Sequence, residues 1–520
     1  ARRSGGFGLN RDSRRRRATV EKDLAAVSDL LKRHQLAAAR EALSSLVHER
    51  PEDPELADML AELLLLERSP EAAVQVARQA LQLGGESADR LDRLGRCLNN
   101  LGELEEAERV FRQALSHDPS RAETCTNLGH VLRRQRRLGE AEEALLRALE
   151  MNPGHTRALR TLGMIRLVSG EPAEAARLLR QALQNDPGEP GLLGHLGIAL
   201  HRSGDLEAAE GAYRAALEKD DTNTETWMNL GITLQEAGHL EEAIRVYESA
   251  GTRSPTNAAP RHRLAEALLI AGKPERALAI AEEAETLDPG HPTGVAIRIV
   301  ALQALRRDDE ARRLLGLDTL IDGVDLECPP GYPNLKAFNR ALANHVLTHP
   351  TLSFEPEGHA TRRGRHTRDL LMDEKGPVAI LEDAVIRAVD GYLQRRTPVA
   401  DHPFPGPVPR RHRLTMWAVV METEGHQLPH IHPSAWLSGV YYVQLPETLG
   451  SRQEDAAGWI EFGLAPDELR SSPDMPVRLV EPVEGRMYLF PSYLYHRTIP
   501  FPGDHRRISI AFDVLRRPAG

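Results

Sequence analysis

Residues 128–153 read LGHVLRRQRRLGEAEEALLRALEMNP, and the same residue types return every 34 positions along most of the chain. The stretch opens on a Leu-Gly pair, has an alanine at position 141 and a leucine at 145, and closes on an Asn-Pro pair. Small residues at fixed positions let the two helices of a hairpin approach closely, and the large residue fills the space between layers. Because the residue before a proline avoids the α region, the Asn-Pro pair ends the second helix. The unit is therefore predicted to be a helical hairpin.

This hairpin unit recurs in register from about residue 20 to residue 317. Alanines on the same period stand at positions 39, 73, 107, 141, 175, 209, 243, 277 and 311. Leu-Gly pairs on it stand at 94–95, 128–129, 162–163, 196–197 and 230–231. Asp221 replaces the expected proline in one unit, and Ala265 replaces the expected glycine in another. The period and pattern resemble the tetratricopeptide repeat, which implies a stacked α-solenoid over residues 20–317, with eight full repeats and a partial ninth.

The resemblance implies a protein or peptide partner, because tetratricopeptide arrays bind extended peptides or partner helices on their concave face. A polar residue stands immediately before each of the five Leu-Gly pairs and before Leu264-Ala265, which replaces the pair in one repeat. These residues are Arg93, Asn127, Thr161, His195, Asn229 and Arg263. In some relatives an asparagine near this position holds a peptide backbone, and two of the six positions match. The alternative is that these are solvated polar residues of a helix surface. Oligomerisation through the repeats stays open.

A second group of motifs lies near the C-terminus, and it has the spacing of a metal site. In order it reads His430-Ile-His432, SGVYYV at 438–443, LFPS at 489–492, His496 and Arg507-Ile-Ser509. Histidines spaced i, i+2 on an extended segment point to the same face, so His430 and His432 can reach one metal ion. His496 would arrive from a distant strand. The nearby His412, His426 and His505 are interpreted as structural or solvent-exposed.

The segment after His496 is predicted to form an anion pocket beside the metal. The turn residues at 500–504 would fold the chain back, which brings the strand that carries Arg507 against the strand near His496. On that strand Arg507 and Ser509 share one face, while aliphatic and aromatic residues occupy the other. A guanidinium group matches the two oxygens of a carboxylate, so Arg507 could hold one. In the SGVYYV strand, one of the two tyrosines can point inward while its neighbour packs.

These motifs resemble the Fe(II)/2-oxoglutarate-dependent oxygenases, specifically a bacterial and phage group with H-x-H-P, S-G-V-Y-Y and R-x-S blocks. The resemblance covers residues 330–517, and residues 360–371 are similar to the segment that opens the domain in that family. It implies a double-stranded β-helix (jelly-roll or cupin-like) with flanking helices, and it implies Fe(II), 2-oxoglutarate and O2. His430 and His496 would be metal ligands. Arg507 would bind the distal carboxylate of 2-oxoglutarate, with Ser509 and Tyr442 beside it.

His432 stands where the superfamily places a carboxylate ligand, because the usual facial triad is two histidines and one Asp or Glu. Three interpretations follow: a three-histidine site, a two-histidine site with water in the third position, or a triad in which His432 is the first ligand. The first is favoured, since neutral imidazole binds ferrous iron well. The predicted metal ligands and catalytic residues are therefore His430, His432 and His496.

The domain organisation follows from these two groups of motifs and makes the chain an α + β multidomain protein. The predicted segments are an arginine-rich disordered tail at 1–19, the solenoid at 20–317, a linker at 318–333 and the oxygenase domain at 334–520. Within the last segment, helices are expected at 334–349 and 379–395, with strands from about residue 411. The tail has seven arginines in its first 17 residues and no apolar core of a secretory signal.

Composition and charge argue against several classes of function. The net charge of −10 argues against general nucleic-acid binding, and no apolar run reaches membrane-spanning length. The three cysteines form no disulfide framework, which favours a reducing cytoplasm.

Three hypotheses for function remain. The first is a 2-oxoglutarate-dependent dioxygenase that hydroxylates a protein or peptide recruited by the repeats. The second is a repeat-based binding scaffold whose oxygenase-like domain is a sensor or is inactive. The third is an iron dioxygenase of the three-histidine kind that needs no 2-oxoglutarate. Arg507 and Ser509 count against the third hypothesis.

Overall fold

The computed structural model describes residues 25–354, 360–395, 402–404, 413–446, 456–470, 476–502 and 506–515. The predicted arginine-rich tail, His412 and His505 lie outside the described residues. The chain divides into two compact units, with the boundary between Asp221 and Thr222. Among the described helices, none combines the length and hydropathy needed to cross a bilayer.

The first unit is built of helices that pair in sequence order. They are α1 (25–32), α2 (Leu36–Glu49), α3 (Pro54–Leu66), α4 (Pro70–Gly84), α5 (Ala88–Leu101), α6 (Leu104–His117), α7 (Ala122–Arg134), α8 (Leu138–Met151), α9 (Thr156–Val168), α10 (Pro172–Asn185), α11 (Pro190–Arg202) and α12 (Leu206–Lys219). Consecutive pairs from α3–α4 to α11–α12 pack closely, as the repeat pattern predicts. The expected role of glycine is visible at Gly95, because a Cβ there would lie 2.6 Å from the ring of the buried Phe111.

Polar contacts join the first helix of each repeat in this unit to the first helix of the next. Asp58 on α3 accepts hydrogen bonds from Arg90 and Arg93 on α5. Asn127 on α7 donates to Asp92 (3.1 Å) and accepts from Arg157 on α9 (3.0 Å). Arg93 and Asn127, two of the polar positions singled out in the sequence, are thus engaged in contacts between repeats.

The second unit contains the last repeats and the β-rich region. Its helices are α13 (Thr224–Glu236), α14 (Leu240–Arg253), α15 (Ala259–Ile270), α16 (Pro274–Leu287), α17 (Pro292–Ala304), α18 (Asp308–Leu315), α19 (Leu317–Leu320), α20 (Leu335–Leu347) and α21 (Val378–Gln394). The copy with Ala265 in place of glycine keeps the hairpin, since α15 and α16 pack as a pair. The helices expected at 334–349 and 379–395 correspond to α20 and α21.

The sheet of this unit is antiparallel at every described pairing and has ten strands. They are β1 (Asp322–Asp325), β2 (Ser353–Phe354), β3 (Thr361–His366), β4 (Arg413–His430), β5 (Ala435–Gln444), β6 (Ile460–Phe462), β7 (Arg478–Val480), β8 (Arg486–Pro491), β9 (His496–Thr498) and β10 (Arg507–Leu515). Along the main path the order is β1-β8-β5-β10-β4-β9-β6-β7, and β3 pairs with β4 and β2. A curled antiparallel sheet that follows a helical solenoid confirms the predicted fold class, a jelly-roll-like domain with flanking helices.

The segment predicted to be a linker, 318–333, differs from that expectation in its first half. Its strand β1 pairs with β8 over four residues. The buried Tyr392 hydroxyl donates to the Leu320 carbonyl (2.8 Å), and the Tyr493 hydroxyl donates to the Leu314 carbonyl (2.9 Å). The end of the repeat array and the sheet are therefore joined by packed structure. Three strands also precede residue 411, where strands were expected to begin.

Candidate metal centre

Three histidines meet where strands β4 and β9 lie side by side. His430 ends β4 and is paired in register with His496, which begins β9. His432 lies two residues beyond β4, and its backbone N–H donates to the Ser492 carbonyl (3.0 Å). One ligand nitrogen from each of the three lies within 4.8 Å of the other two. Among the described residues this is the one cluster of histidine, cysteine or acidic side chains with metal-site geometry.

Hydrogen bonds orient all three imidazoles in the same way. Nδ1 lies 2.8 Å from the Leu428 carbonyl in His430, 3.0 Å from the Leu494 carbonyl in His496, and 2.6 Å from the Asp513 carboxylate in His432. Carbonyl and carboxylate oxygens only accept hydrogen bonds, so each Nδ1 carries the proton. The lone pair of each ring is then on Nε2, which is the state of a metal-binding histidine.

Burial keeps two of these rings neutral. It lowers the pKa of His430 to about 3, with His432 as the next cause. Burial also holds the pKa of His496 well below its ordinary value, and the other two histidines lower it further. A neutral imidazole is the form that binds a metal, so protons compete weakly for these ligands at neutral pH. The donor set therefore fits a divalent transition metal such as ferrous iron.

All six residues predicted for the site line one small cavity. Its volume is about 30 Å³, and its walls include His430, His432, Tyr442, His496, Arg507 and Ser509. Ser509 is paired in register with Tyr442 on β5. The neighbouring Tyr441 faces the other way and donates a hydrogen bond from its hydroxyl to Asn339 (2.6 Å). The predicted inward and outward tyrosines are thus seen, and His426 is not part of the cluster.

Arg507 is buried without a counter-ion among the described residues. Its side chain is 2 % exposed. Its Nη atoms donate only to neutral groups, at 3.2–3.4 Å: the sulfur of Met421, the hydroxyl of Thr498 and the hydroxyl of Tyr442. Its Nε has no hydrogen-bond partner. Burying a charge without a partner costs several kcal/mol, on the order estimated for ions in proteins, so the cavity is suited to an anionic ligand.

One residue of the site, Asp513, is absent from the sequence-based prediction. Its carboxylate accepts a hydrogen bond from His432 and another from the Ser438 hydroxyl (2.6 Å). Asp513 lies on β10 four positions beyond Ser509, so the same period-two alternation that placed Arg507 and Ser509 inward also indicates it. The sequence does not show that His432 lies beyond the end of β4, and this position is what brings the His432 ring to Asp513.

The comparisons agree with these two parts of the chain. Residues 415–513 match a family model described as "Putative 2OG-Fe(II) oxygenase", and this range contains all six predicted site residues. Tetratricopeptide-repeat models match residues 24–88, 91–123, 126–190, 161–224, 212–245 and 234–284. The chain therefore combines tetratricopeptide repeats across its N-terminal region with a domain of this oxygenase family. No curated protein sequence matches the chain.

Several solved structures are similar to parts of this chain. The APC/C hetero-tetramer Cut9–Hcn1 is 17 % identical with a TM-score of 0.42; the similarity covers 54 % of this chain and 55 % of that one. YrrB, described as a TPR protein with an unusual peptide-binding site, is 22 % identical over 38 % of this chain and 97 % of its own, with a TM-score of 0.32. PilF of Pseudomonas aeruginosa is 22 % identical over 40 % and 94 %, with a TM-score of 0.36.

Proposed function

We propose that this protein is an Fe(II)- and 2-oxoglutarate-dependent oxygenase, a hydroxylase that acts on a protein or peptide recruited by its repeats. One observation carries the proposal. A buried arginine that has no anionic partner in the described part of the chain shares a 30 Å³ cavity with three histidines whose Nε2 atoms are free to bind a metal. A metal site alone would fit many metalloproteins. A metal site beside an arginine that can bind a carboxylate fits an enzyme whose cosubstrate binds to the metal and to the arginine at once.

In this proposal His430, His432 and His496 hold Fe(II). Arg507, with Ser509 and Tyr442 beside it, holds the distal carboxylate of 2-oxoglutarate. When bound, iron and 2-oxoglutarate together supply dioxygen activation, in which 2-oxoglutarate is converted to succinate and CO2 as the substrate is oxidised. The chain's own contribution is to orient the ligands, to neutralise the anion and to keep water out of a small buried site.

The buried positive charge also separates this proposal from the other hypotheses. A three-histidine dioxygenase without 2-oxoglutarate has no use for an unpaired Arg507. A scaffold with an inactive domain has no reason to retain a destabilising buried charge. We further propose that the protein works in the cytoplasm, where ferrous iron is kept reduced. Cys97, Cys125 and Cys328 are free thiols, in agreement with a reducing compartment.

Succinate formation tests the proposal directly. The full chain should convert 2-oxoglutarate to succinate only when Fe(II) and O2 are both present, and His496→Ala should abolish this turnover. His426→Ala is the matched control, because it removes a histidine close in sequence that is outside the cluster; it should leave turnover unchanged. Succinate formation that survives in His496→Ala would show that the cluster is not the catalytic site.

A further inference from the structure

A second cavity lies beside the metal centre, between the last repeats and the sheet of the second unit. Its volume is about 850 Å³. From the β-rich region it is lined by Ile431, Pro433 and Tyr495. Ile431 lies between His430 and His432, Pro433 follows His432, and Tyr495 precedes His496. This second cavity, the groove, is therefore lined by residues that are adjacent in sequence to all three proposed metal ligands.

Size distinguishes the groove from the metal cavity. The metal cavity is the smaller of the two, at about 30 Å³, and in the proposed function the metal and 2-oxoglutarate take up the space next to the three histidines. The groove, at about 850 Å³, falls within the range of about 300–1,000 Å³ typical of ligand sites. A macromolecular substrate must therefore be held largely outside the metal cavity, and the groove has the size to hold a segment of it.

The other wall of the groove comes from three consecutive repeats. Met228 on α13, His262 and Arg263 on α15, and Ile297 on α17 are among its lining residues. These helices are the first helices of their repeats. Neighbouring helices pack about 8–10 Å apart, so three of them span about 20 Å. That span corresponds to about six residues of extended chain, at about 3.3 Å per residue. The groove has the length of an extended peptide.

The chemistry of the wall also suits a peptide. Met228 and Ile297 are apolar, and Arg263 and Glu266 form an exposed ion pair (3.0 Å) at the edge. His262 is 6 % exposed, and its Nε2 has no hydrogen-bond partner. A Cβ at Gly294 would lie 3.1 Å from that nitrogen, so glycine keeps this side of the ring uncrowded. Burial lowers the pKa of His262 to about 4, so the ring is neutral, and its Nε2 is itself buried from solvent.

Two of the corresponding polar residues of the first unit form contacts between repeats. Arg93 pairs with Asp58, and Asn127 bonds to Asp92 and Arg157. In the groove the corresponding residue, Arg263, pairs with Glu266 within its own helix, α15.

We propose that the groove binds an extended segment of about six residues of a protein substrate. It would present one side chain of that segment to the metal centre past Ile431 and Tyr495. This inference rests on the proposed function and adds to it the place and the class of substrate. It assigns α13, α15 and α17 to substrate binding.

A pair of matched alanine-to-arginine variants tests the groove. Ala259 is exposed at the start of α15 and lines the groove, while Ala279 is exposed on α16 and does not line it. The probe is a pool of random dodecapeptides, and the readout is 2-oxoglutarate-dependent succinate formation by the full chain. The pool should raise succinate formation above the rate without peptide. Ala259→Arg should lower that stimulation about tenfold, which corresponds to about 1.4 kcal/mol of binding. Ala279→Arg should behave as wild type.

Three results would contradict the proposal in different ways. Equal stimulation of Ala259→Arg and wild type would show that peptides reach the metal centre by another route. No stimulation by peptides, together with normal binding of Fe(II) and 2-oxoglutarate, would exclude a peptide occupant while the oxygenase assignment stands. Failure of wild type to bind Fe(II) and 2-oxoglutarate would overturn the assignment itself, and the inference with it.

A separate observation concerns the charge of the metal centre. The usual facial triad brings one carboxylate to the metal, and here the third ligand position holds an imidazole, that of His432. Asp513 lies behind it, 2.6 Å from Nδ1, and both side chains are mostly buried at 12 % and 13 % exposure. The Ser438 hydroxyl donates to the same carboxylate and also contacts the Ser492 hydroxyl (2.8 Å). Asp513 is thus held on His432 by a buried network.

We propose that Asp513 supplies, through His432, the negative charge that a carboxylate ligand would otherwise supply. A carboxylate that accepts the Nδ1 proton of a ligating histidine makes its Nε2 more electron-rich and fixes its orientation. Asp513 would be a positioning residue, which acts on the metal through its hydrogen bond to His432.

Metal affinity in two backgrounds tests this role. Asp513→Asn keeps the size and the acceptor oxygen but removes the charge, and it should weaken anaerobic Fe(II) binding about 10–100-fold. In the His432→Asp background the ligand carries its own charge, so adding Asp513→Asn should cost little or nothing. Ser438→Ala removes the other hydrogen bond to Asp513 and should have a small effect. Unchanged affinity in Asp513→Asn would overturn the proposal, and so would an equal loss in both backgrounds, because that would indicate a structural role.

Discussion

At the scale of single residues, the least ordinary feature of the molecule is the buried charge of Arg507. Long hydrogen bonds to a thioether and two hydroxyls compensate poorly for lost hydration. The free protein bears this cost, and an anion in the cavity would remove it. In the proposed function, affinity for the cosubstrate and instability of the empty site are two consequences of the same charge.

Removal of this charge should lower the affinity for 2-oxoglutarate and leave the affinity for the metal nearly unchanged. Arg507→Ala should weaken 2-oxoglutarate binding by about 2–5 kcal/mol, the range measured for desolvated charge pairs, and should leave metal affinity near wild type. Calorimetric titration of the metal-free protein with cobalt(II) measures the metal affinity, and titration of the cobalt-loaded protein with 2-oxoglutarate measures the cosubstrate affinity. Arg506→Ala is the matched control, because Arg506 is adjacent and partly exposed, with Glu422 at 3.7 Å. Parallel loss of metal and cosubstrate would mean that Arg507 is only structural.

The neutral histidines predict how the metal-free protein responds to acid. His430 and His496 have lowered pKa values in the fold, whereas in the unfolded chain they take up protons near pH 6.5. The unfolded state therefore binds more protons below that pH, and folding stability falls as the pH falls. The thermal midpoint of the metal-free protein should drop from pH 7 to pH 5. His496→Gln should flatten this dependence and His426→Gln should not; identical pH profiles in all three proteins would contradict the account.

Much of the site could be predicted from residue pattern. The i, i+2 spacing of His430 and His432 and the alternation of Arg507 and Ser509 are properties of a strand, and a strand's geometry is nearly fixed. Asp513 follows the same alternation, but its role depends on a contact with a residue 81 positions away. Such a contact is decided by the three-dimensional course of the chain, which a local pattern does not contain.

At the scale of elements, the repeat hairpins depend on a small residue facing a large one. In α5 and α6, Gly95 faces Phe111, and the same pairing recurs between Gly129 and Leu145 in the next repeat. The alternating sizes let the helices pack without voids, which explains why the 34-residue pattern predicted them. Strand β1 was missed because four residues, DGVD, are too few to show a period.

A pair of glycine substitutions separates packing from helix propensity. Gly95→Ala should destabilise the first unit by about 1–3 kcal/mol, because the added methyl overlaps the Phe111 ring. Gly211→Ala should stabilise it by about 0.8–1 kcal/mol, since nothing lies within 4 Å and alanine is the better helix former. Shifts in the thermal midpoint measured by circular dichroism check both. Equal and small shifts would show that the close approach at Gly95 is not required.

At the scale of the whole molecule, the last repeats belong to the same compact unit as the sheet. The sequence places a boundary near residue 317, where the repeat pattern ends. The structure divides the chain between Asp221 and Thr222, where the pattern continues in register. The 34-residue period predicts which residues form helical hairpins, but it does not predict which hairpins pack on the sheet. In the proposed substrate site, α13, α15 and α17 line one groove together with Ile431 and Tyr495, which are chain neighbours of the three histidines.

Anaerobic titration of the metal-free protein with Fe(II) and 2-oxoglutarate shows whether the three histidines form a metal centre that binds 2-oxoglutarate. A weak visible charge-transfer band that requires both additions is expected. The band should be absent in His430→Ala and should need more 2-oxoglutarate in Arg507→Ala. Iron binding without a band would contradict the cosubstrate assignment and favour a dioxygenase that needs no 2-oxoglutarate. Absence of iron binding would leave the repeats as the functional part of the protein.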